Sequence, residues 1–313
     1  GYGNGYQISY MNSGKMTNKG WEFRVDAVPF QNKDWRVGVY FNIAHNENKI
    51  TEMPDNYIEE NYTFGNGNYA YRREEGRPMG SFYGYRYKGV YQNKDATYAR
   101  DIEGNVMKDI SGNAIVMRNG SYTVAPGDAI YEDVNHDGVI NQYDIVYLGN
   151  SNPRLTGGAG LNVSYKQFKL SAIFYGRYGQ DVVNATRLNN ESMRGIDNQS
   201  TAVLRRWRNE GDQTDIPRAL YGEGYNTLGS DRFVEDASYL RLKSLSFTYR
   251  LPKKAIQRWG FNNIDVYVTG YNLFTWTNYT GQDPEVKTEN TYAKDTATTP
   301  ASIQLVAGFN LSF

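Results

Sequence analysis

The sequence predicts an all-β fold, an antiparallel portion of a transmembrane β-barrel, and three observations predict it. Apolar and polar residues alternate in segment after segment, the connections between segments are alternately short and long, and the chain is polar on average yet rich in aromatic residues and glycine. A strand turns successive side chains to opposite faces. Alternation over about ten residues therefore gives a ribbon with one apolar and one wet side, long enough when tilted to cross a bilayer. The terminal segment, Ala301 to Phe313, is the clearest: Ile303, Leu305, Ala307, Phe309, Leu311 and Phe313 oppose Ser302, Gln304, Gly308, Asn310 and Ser312.

About ten strands of this kind can be read along the chain. The first, Gly5 to Met11, is weakly patterned. In the second, Trp21, Phe23, Val25 and Ala27 oppose Glu22, Arg24 and Asp26; in the third, Trp35, Val37, Val39, Phe41 and Ile43 oppose Arg36, Gly38, Tyr40 and Asn42. Charges on the same side of two facing strands suit a watery lumen better than a core. A weaker pair, Gly67 to Glu74 and Met79 to Tyr91, keeps the strand number even. Then Leu155, Gly157, Ala159, Leu161, Val163 and Tyr165 alternate with polar or small residues, and Phe168, Leu170, Ala172 and Phe174 oppose Lys169, Ser171 and Arg177. From Ala237 to Arg250 the phase slips between Leu240, Leu242 and Leu245, Phe247, Tyr249, which predicts a bulge or a change of environment there. Asn263 to Phe274 and the terminal strand complete the set; short helical pieces are expected near Thr201 to Arg208 and Pro252 to Trp259.

The tight connections are Gln31 to Lys33, Glu75 to Pro78, Lys166 to Gln167 and the stretch after Pro252. The long polar ones are Glu47 to Asn66, Gln92 to Pro153, Asp181 to Ser230 and Thr275 to Pro300. Long loops on one rim and short turns on the other mark a bacterial barrel, whereas loops of that length count against a compact soluble domain. Phe30 with Trp35, Tyr165 with Phe168, Trp259 with Phe261, and Phe313 fall at the short-turn level, where an interfacial aromatic belt belongs.

Composition narrows the functions. The 34 basic and 34 acidic residues balance, so there is no basic footprint for nucleic acid. The absence of cysteine removes disulfides, thiolate catalysis and zinc-thiolate sites together. A mean hydropathy of −0.70 rules out helical spans, yet 28 Tyr, 13 Phe, 5 Trp and 32 Gly fit a barrel in which only alternate residues meet lipid.

One constellation points to metal. Asp133, Asn135, Asp137, Gly138, Ile140, Asn141 and Asp144 match positions of the twelve-residue EF-hand loop, residues 133–144, with the Val139 carbonyl as a further ligand. Calcium wants six to eight oxygens, and three carboxylates left unneutralised in one loop would repel each other, so a structural calcium ion is expected there. Position 12 is Asp where Glu is usual, and Ala125 to Gly127 speaks against a preceding helix. Glu59 with Glu60 and Glu74 with Glu75 are read as solvated surface, because neighbours on a strand point apart. Gly157, Gly158 and Gly160 lack the helix a dinucleotide site needs. His45 and His136 make no pair, and Asn61, Asn162, Asn190, Asn198, Asn278 and Asn310 open chance N-x-S/T triplets. Trp207, Tyr221, Tyr225 and Trp276 are placed in long outer loops, where rings can stack on sugars. Arg205, Arg206 and Arg208 are available to lipopolysaccharide phosphates, a partner or water.

The chain resembles the C-terminal part of the SusC-type TonB-dependent outer-membrane transporters of the Bacteroidetes. The matching stretches are Asn12 to Glu22 (NSGKMTNKGWE), Gly76 to Tyr91 (GRPMGSFYGYRYKGVY), Gly127 to Gly149, Asn152 to Asn184, Phe233 to Pro252 (FVEDASYLRLKSLSFTYRLP), Tyr267 to Glu285 (YVTGYNLFTWTNYTGQDPE) and the terminal strand. The resemblance implies a plugged barrel of about 22 strands, of which residues 1–313 supply about the last ten. It further implies outer-membrane import of oligosaccharides or peptides, driven by TonB, with a SusD-like surface lipoprotein as lid and no enzymatic activity. The plug and the TonB-contacting segment of such proteins are N-terminal and are expected outside this chain, which begins at Gly1 without a targeting segment. Gly308, Leu311 and Phe313 match the family's assembly signal, although Val306 stands where a polar residue is usual.

Energetics agrees with a partial barrel. Two open edges, each with roughly five backbone groups unpaired at membrane depth, cost on the order of tens of kcal/mol, against an ordinary domain stability of about 5–15 kcal/mol. Pairing with N-terminal strands is therefore expected. Active importer, passive porin or structural barrel, and secreted glycan-binding β-protein or hydrolase are the functional classes that the residues admit.

Overall fold

A computed structural model describes residues 14–53, 67–70, 72–289 and 292–313. Its frame is a seven-stranded meander: β1 (Lys15–Gln31), β2 (Trp35–Glu52), β3 (Leu155–Tyr165), β4 (Phe168–Tyr178), β5 (Tyr239–Arg250), β6 (Asn263–Thr277) and β7 (Gln304–Ser312). Each strand pairs antiparallel with its sequence neighbour, so the sheet order is the chain order. The ladders set the apolar rows opposite one another. Phe23, Ile43 and Gly157 line up in one row, and Leu170, Phe247 and Val268 in another.

One face of this wall is bare. Trp21 is 51% exposed, Phe247 48% and Phe309 67%, and most other large residues of the outward rows are exposed or half-exposed, with Leu242 and Ile264 covered by their neighbours. Among the described residues, the buried apolar clusters are all built from the long connections and none from the outward rows. Contiguous apolar area on this scale belongs in lipid. The opposite face is polar and hydrogen-bonded along and across strands. Arg24 Nε donates to Asp26 at 2.6 Å, Ser171 Oγ to Asn162 Oδ1 at 2.7 Å, and Arg250 grips Asp265 through two bonds of 2.7 and 2.9 Å. At Gly308 a Cβ would meet the Tyr267 hydroxyl at 2.7 Å, so the glycine makes room for the ring on this inner face.

Short turns and long connections alternate as the sequence predicts. Asn32 Oδ1 accepts from Asp34 N and Trp35 N in the first turn, and the two-residue turn Lys166–Gln167 is bonded to its neighbours on both sides by Lys166 N to Asp34 O and Arg250 N to Gln167 O. The third carries the predicted helical piece, α2 (Lys253–Ile256) followed by a 3₁₀ turn. Rings join across this rim: Trp35 to Tyr165 at 4.3 Å between centroids, Phe168 to Tyr249 at 4.9 Å, and Phe261 to Phe313 at 5.0 Å. The expected bulge is present. Ile173 faces Ser244 while Phe174 faces Leu242, so Lys243 is the extra residue, and the slip keeps Leu240 and Leu242 in one row with Leu245 and Phe247.

The number of wall strands needs correction. The candidate at Gly5 to Met11 lies outside the described residues. The pair Gly67 to Glu74 and Met79 to Tyr91 is not in the wall. Among its described residues the first makes only a bridge from Ala70 to Tyr83, and the second breaks into Ser81–Gly84 and Tyr87–Val90, which pair with Val146–Asn150 and Ala129–Tyr131. Phe82, Tyr83, Tyr85 and Tyr91 are all buried in the loop structure, so their apolarity serves a core and not a lipid face. The Glu75 to Pro78 turn is likewise on the long-connection rim, because Gly76 N donates to Ile50 O and Ile50 N to Arg77 O at the far end of β2. Strands β1 and β2, at 17 and 18 residues, run past the bilayer to meet it. The 92–153 loop falls within the connection from β2 to β3, and a tyrosine-rich core holds that connection together.

Candidate functional site

At the long-connection end the chain builds a polar cleft of about 730 Å³. Beyond Gly179 the line of β4 resumes as Asp181–Asn184, and Asn184 caps α1 (Ala185–Asn190) by accepting from Arg187 N at 2.9 Å. Leu188 buries against Phe82, Val183 and Phe233, which turns Asn189 and Asn190 outward to solvent. A buried ion network fixes the helix. Arg187 holds Glu191 at 2.9 Å and Glu235 at 3.2 Å, and Arg232 holds Glu191 at 2.8 Å. The chain then reverses at Met193, whose φ is 49°, and Ser200 N to Asn190 O and Gly222 N to Arg194 O pin the returning segment. Tyr292–Asp295 lies parallel to Asp181–Asn184 with Lys294 opposite Val183, and this brings Lys294 and Thr296 to the other side of the cleft.

The exposed lining is made of amides and charges: Asn68, Asn189, Asn190 and Asn198, with Arg194, Asp197 and Lys294. Each amide offers two donors and an acceptor, so the cleft suits a ligand dense in hydroxyls or peptide groups. Sequence reading missed it. Asn190 and Asn198 stand out in the sequence only as chance triplets, and nothing local marks that a strand more than ninety residues later supplies the facing side. Beneath the cleft, burial and then the Asp295 carboxylate, which accepts from the Tyr279 hydroxyl at 2.6 Å, push that phenol well above its usual range.

The loop at 133–144 is wound as the motif implies. Asp133 accepts from Asp137 N and Gly138 N, Asn135 Nδ2 and Asn141 Nδ2 both approach Asp137 Oδ2, and Asn141 Nδ2 also reaches the Val139 carbonyl at 3.0 Å. Gly138 takes φ 79°, the sharp turn that only glycine makes easily. Asp144 behaves differently. It is fully buried, its two oxygens accept from Val134 N and Asn141 N, and burial raises its carboxyl above the usual range. Among the described residues no three carboxylate or imidazole side chains gather as a metal cluster.

Other sequence candidates are dispersed. Trp207 and Tyr225 are buried, the latter in the tyrosine core, while Tyr221 stays exposed. Trp276 belongs to β6 in the outward row, not to a loop. Arg205 and Arg208 are exposed and Arg206 half-buried beside the 3₁₀ turn Thr201–Arg205. Glu74 accepts from the Tyr83 hydroxyl and Glu75 from Met53 N, so both buttress the end of β2; Glu59 and Glu60 lie outside the described residues. His45 bonds the Arg154 carbonyl at 2.6 Å, and His136 sits at φ 56° off the ligand positions. Gly308 lies on the inner face, Leu311 and Phe313 at the aromatic rim.

No family model matches the chain. TonB-dependent receptor P3 of Formosa agariphila is 32% identical over 293 residues, 91% of this chain and 27% of that protein. Receptor P26 of the same organism is 30% identical over 90% of this chain. TonB-dependent receptor SusC of Bacteroides thetaiotaomicron is 27% identical over 96% of this chain and 27% of its own length. Among solved structures, that of the RagAB peptide transporter superposes with a TM-score of 0.72 at 27% identity, over 99% of this chain and 31% of that one. The closed-closed state of the RagAB peptide importer gives 0.71 at 26% identity. The chain thus spans less than a third of the length of these relatives. With its bare apolar rows, polar inner face and segregated loops, the chain forms part of an outer-membrane β-barrel wall and is similar along nine tenths or more of its length to the SusC-type TonB-dependent receptors, a group of membrane receptors and not of enzymes.

Proposed function

We propose that this segment forms the wall and outer mouth of an active importer of oligosaccharides or peptides. TonB drives it through parts of the protein beyond this chain, and a SusD-like surface lipoprotein closes over it. The amide-lined cleft carries the cargo reading, because it gathers exposed hydrogen-bonding groups at the end of the wall that faces outward from the cell. The relatives described as a peptide transporter and as SusC support a nutrient cargo. In cells growing on a single cargo taken up by the full protein, Asn190→Ala with Asn198→Ala should lower uptake severalfold at unchanged outer-membrane abundance. Undiminished uptake would remove the cleft from the pathway.

The 133–144 loop is assigned a structural calcium ion held by Asp133, Asn135, Asp137, the Val139 carbonyl, Asn141 and Asp144, the last of which also braces the loop from within. The convergence of oxygen-bearing groups on Asp137 supports this, since rotating either amide by half a turn presents its oxygen to the same point. The terminal strand, through Gly308, Leu311 and Phe313, is assigned the role of assembly signal; its N-terminal strands, plug and surrounding lipid complete the barrel.

A further inference from the structure

The inner face of the wall carries an unbalanced cluster of charges at the long-connection end of β4 and β5. Arg177 stands directly opposite Tyr239 in the ladder, and Tyr175 opposite Arg241, so the four side chains share one face. Arg241, buried, donates Nη2 to Asp283 at 2.5 Å and Nη1 to Glu285 at 2.8 Å, and Lys243 Nζ reaches the same Glu285 oxygen at 2.8 Å. Two carboxylates therefore answer two cations. Arg177 is left over: its Nε donates to the Tyr175 hydroxyl at 3.2 Å, and among the described residues it has no ion pair. Opposite it, Tyr239 is 5% exposed and its hydroxyl is buried with no hydrogen-bond partner among the described residues.

We propose that Arg177 and the Tyr239 hydroxyl form a carboxylate-binding subsite on the inner face of the barrel. The guanidinium fork offers two parallel N–H bonds to the two oxygens of a carboxylate, and the phenol supplies a third donor. A single negative charge balances the surplus cation, which favours a carboxylate over a dianion. The anion comes either from a passing cargo or from an acidic side chain of the protein outside this segment. The cargo source rests on the import reading, but binding is measured without transport, so the two can fail separately.

The test uses the full-length protein in detergent, as wild type, Arg177→Met, Arg177→Lys and Tyr239→Phe, with triglutamate as probe and triglutamine as its neutral control. If cargo supplies the anion, triglutamate binding weakens at least tenfold in Arg177→Met and severalfold in Tyr239→Phe, Arg177→Lys retains part of it, and triglutamine is indifferent to all three. If the protein supplies it, probe binding does not change, but Arg177→Met melts below wild type at pH 7 and the gap narrows as the pH falls below about 4, because the guanidinium holds the partner carboxylate below its usual range and the pair is lost as that carboxylate takes up its proton. Variants that bind the probe like wild type and show a melting gap independent of pH would overturn the subsite.

Discussion

At the scale of single residues, the buried charges decide which parts of the outer structure are rigid. Arg232 and Glu191 are both almost completely buried and paired at 2.8 Å, so removing Glu191 leaves Arg232 desolvated and without its ion pair, whereas removing Arg232 leaves Glu191 with Arg187. Glu191→Ala should cost about 3–5 kcal/mol, seen as loss of order in the 185–235 region by hydrogen exchange, whereas the exposed pair Lys15 with Glu52 should contribute about 0–1 kcal/mol. The calcium loop gives a second outcome at this scale. Added calcium should protect the amides of residues 133–144 from exchange and a chelator should reverse it, with Asp137→Asn losing the response; equal exchange with and without calcium would refute the assignment. The turn of this loop was legible in sequence because its residues are contiguous and Gly138 marks the bend. The bracing by Asp144 was not, since only the fold shows its two oxygens accepting from Val134 N and Asn141 N.

At the scale of elements, strands were legible where one side of the alternation stays bare. The outward row of β7 and the phase slip in β5 were both visible as patterns, and the slip resolves into the bulge at Lys243. The segment from Met79 to Tyr91 misled for a physical reason: Tyr83, Tyr85 and Tyr91 are apolar enough for a lipid face, but the loops bury them. The cleft could not be read at all, because it is assembled from α1, the segment after it and a distant strand brought in by the parallel pairing of Val183 with Lys294 and of Asn184 with Asp295. The terminal strand yields an outcome of its own. Phe313 closes the aromatic rim against Phe261, so Phe313→Ala should reduce the amount of full protein reaching the outer membrane, measured by fractionation, while Phe41→Ala in a strand interior should reduce it much less.

At the scale of the molecule, short turns gather on one rim and long, internally packed connections on the other, and among the described residues the wall between them ends in two open strand edges at β1 and β7. Those edges require partner strands in a membrane. The account depends on the outward rows meeting acyl chains while their neighbours meet water. These 313 residues contain no cysteine, so single cysteines can be placed at successive positions 245–248 of β5, in a full-length protein with any cysteine elsewhere replaced by serine, and spin-labelled in lipid vesicles. The account predicts that labels at Leu245 and Phe247 are relaxed by oxygen dissolved in the bilayer, and those at Ser246 and Thr248 by a water-soluble nickel complex, with a period of two. Labels shielded from both reagents at Leu245 and Phe247, or no alternation along the strand, would contradict it.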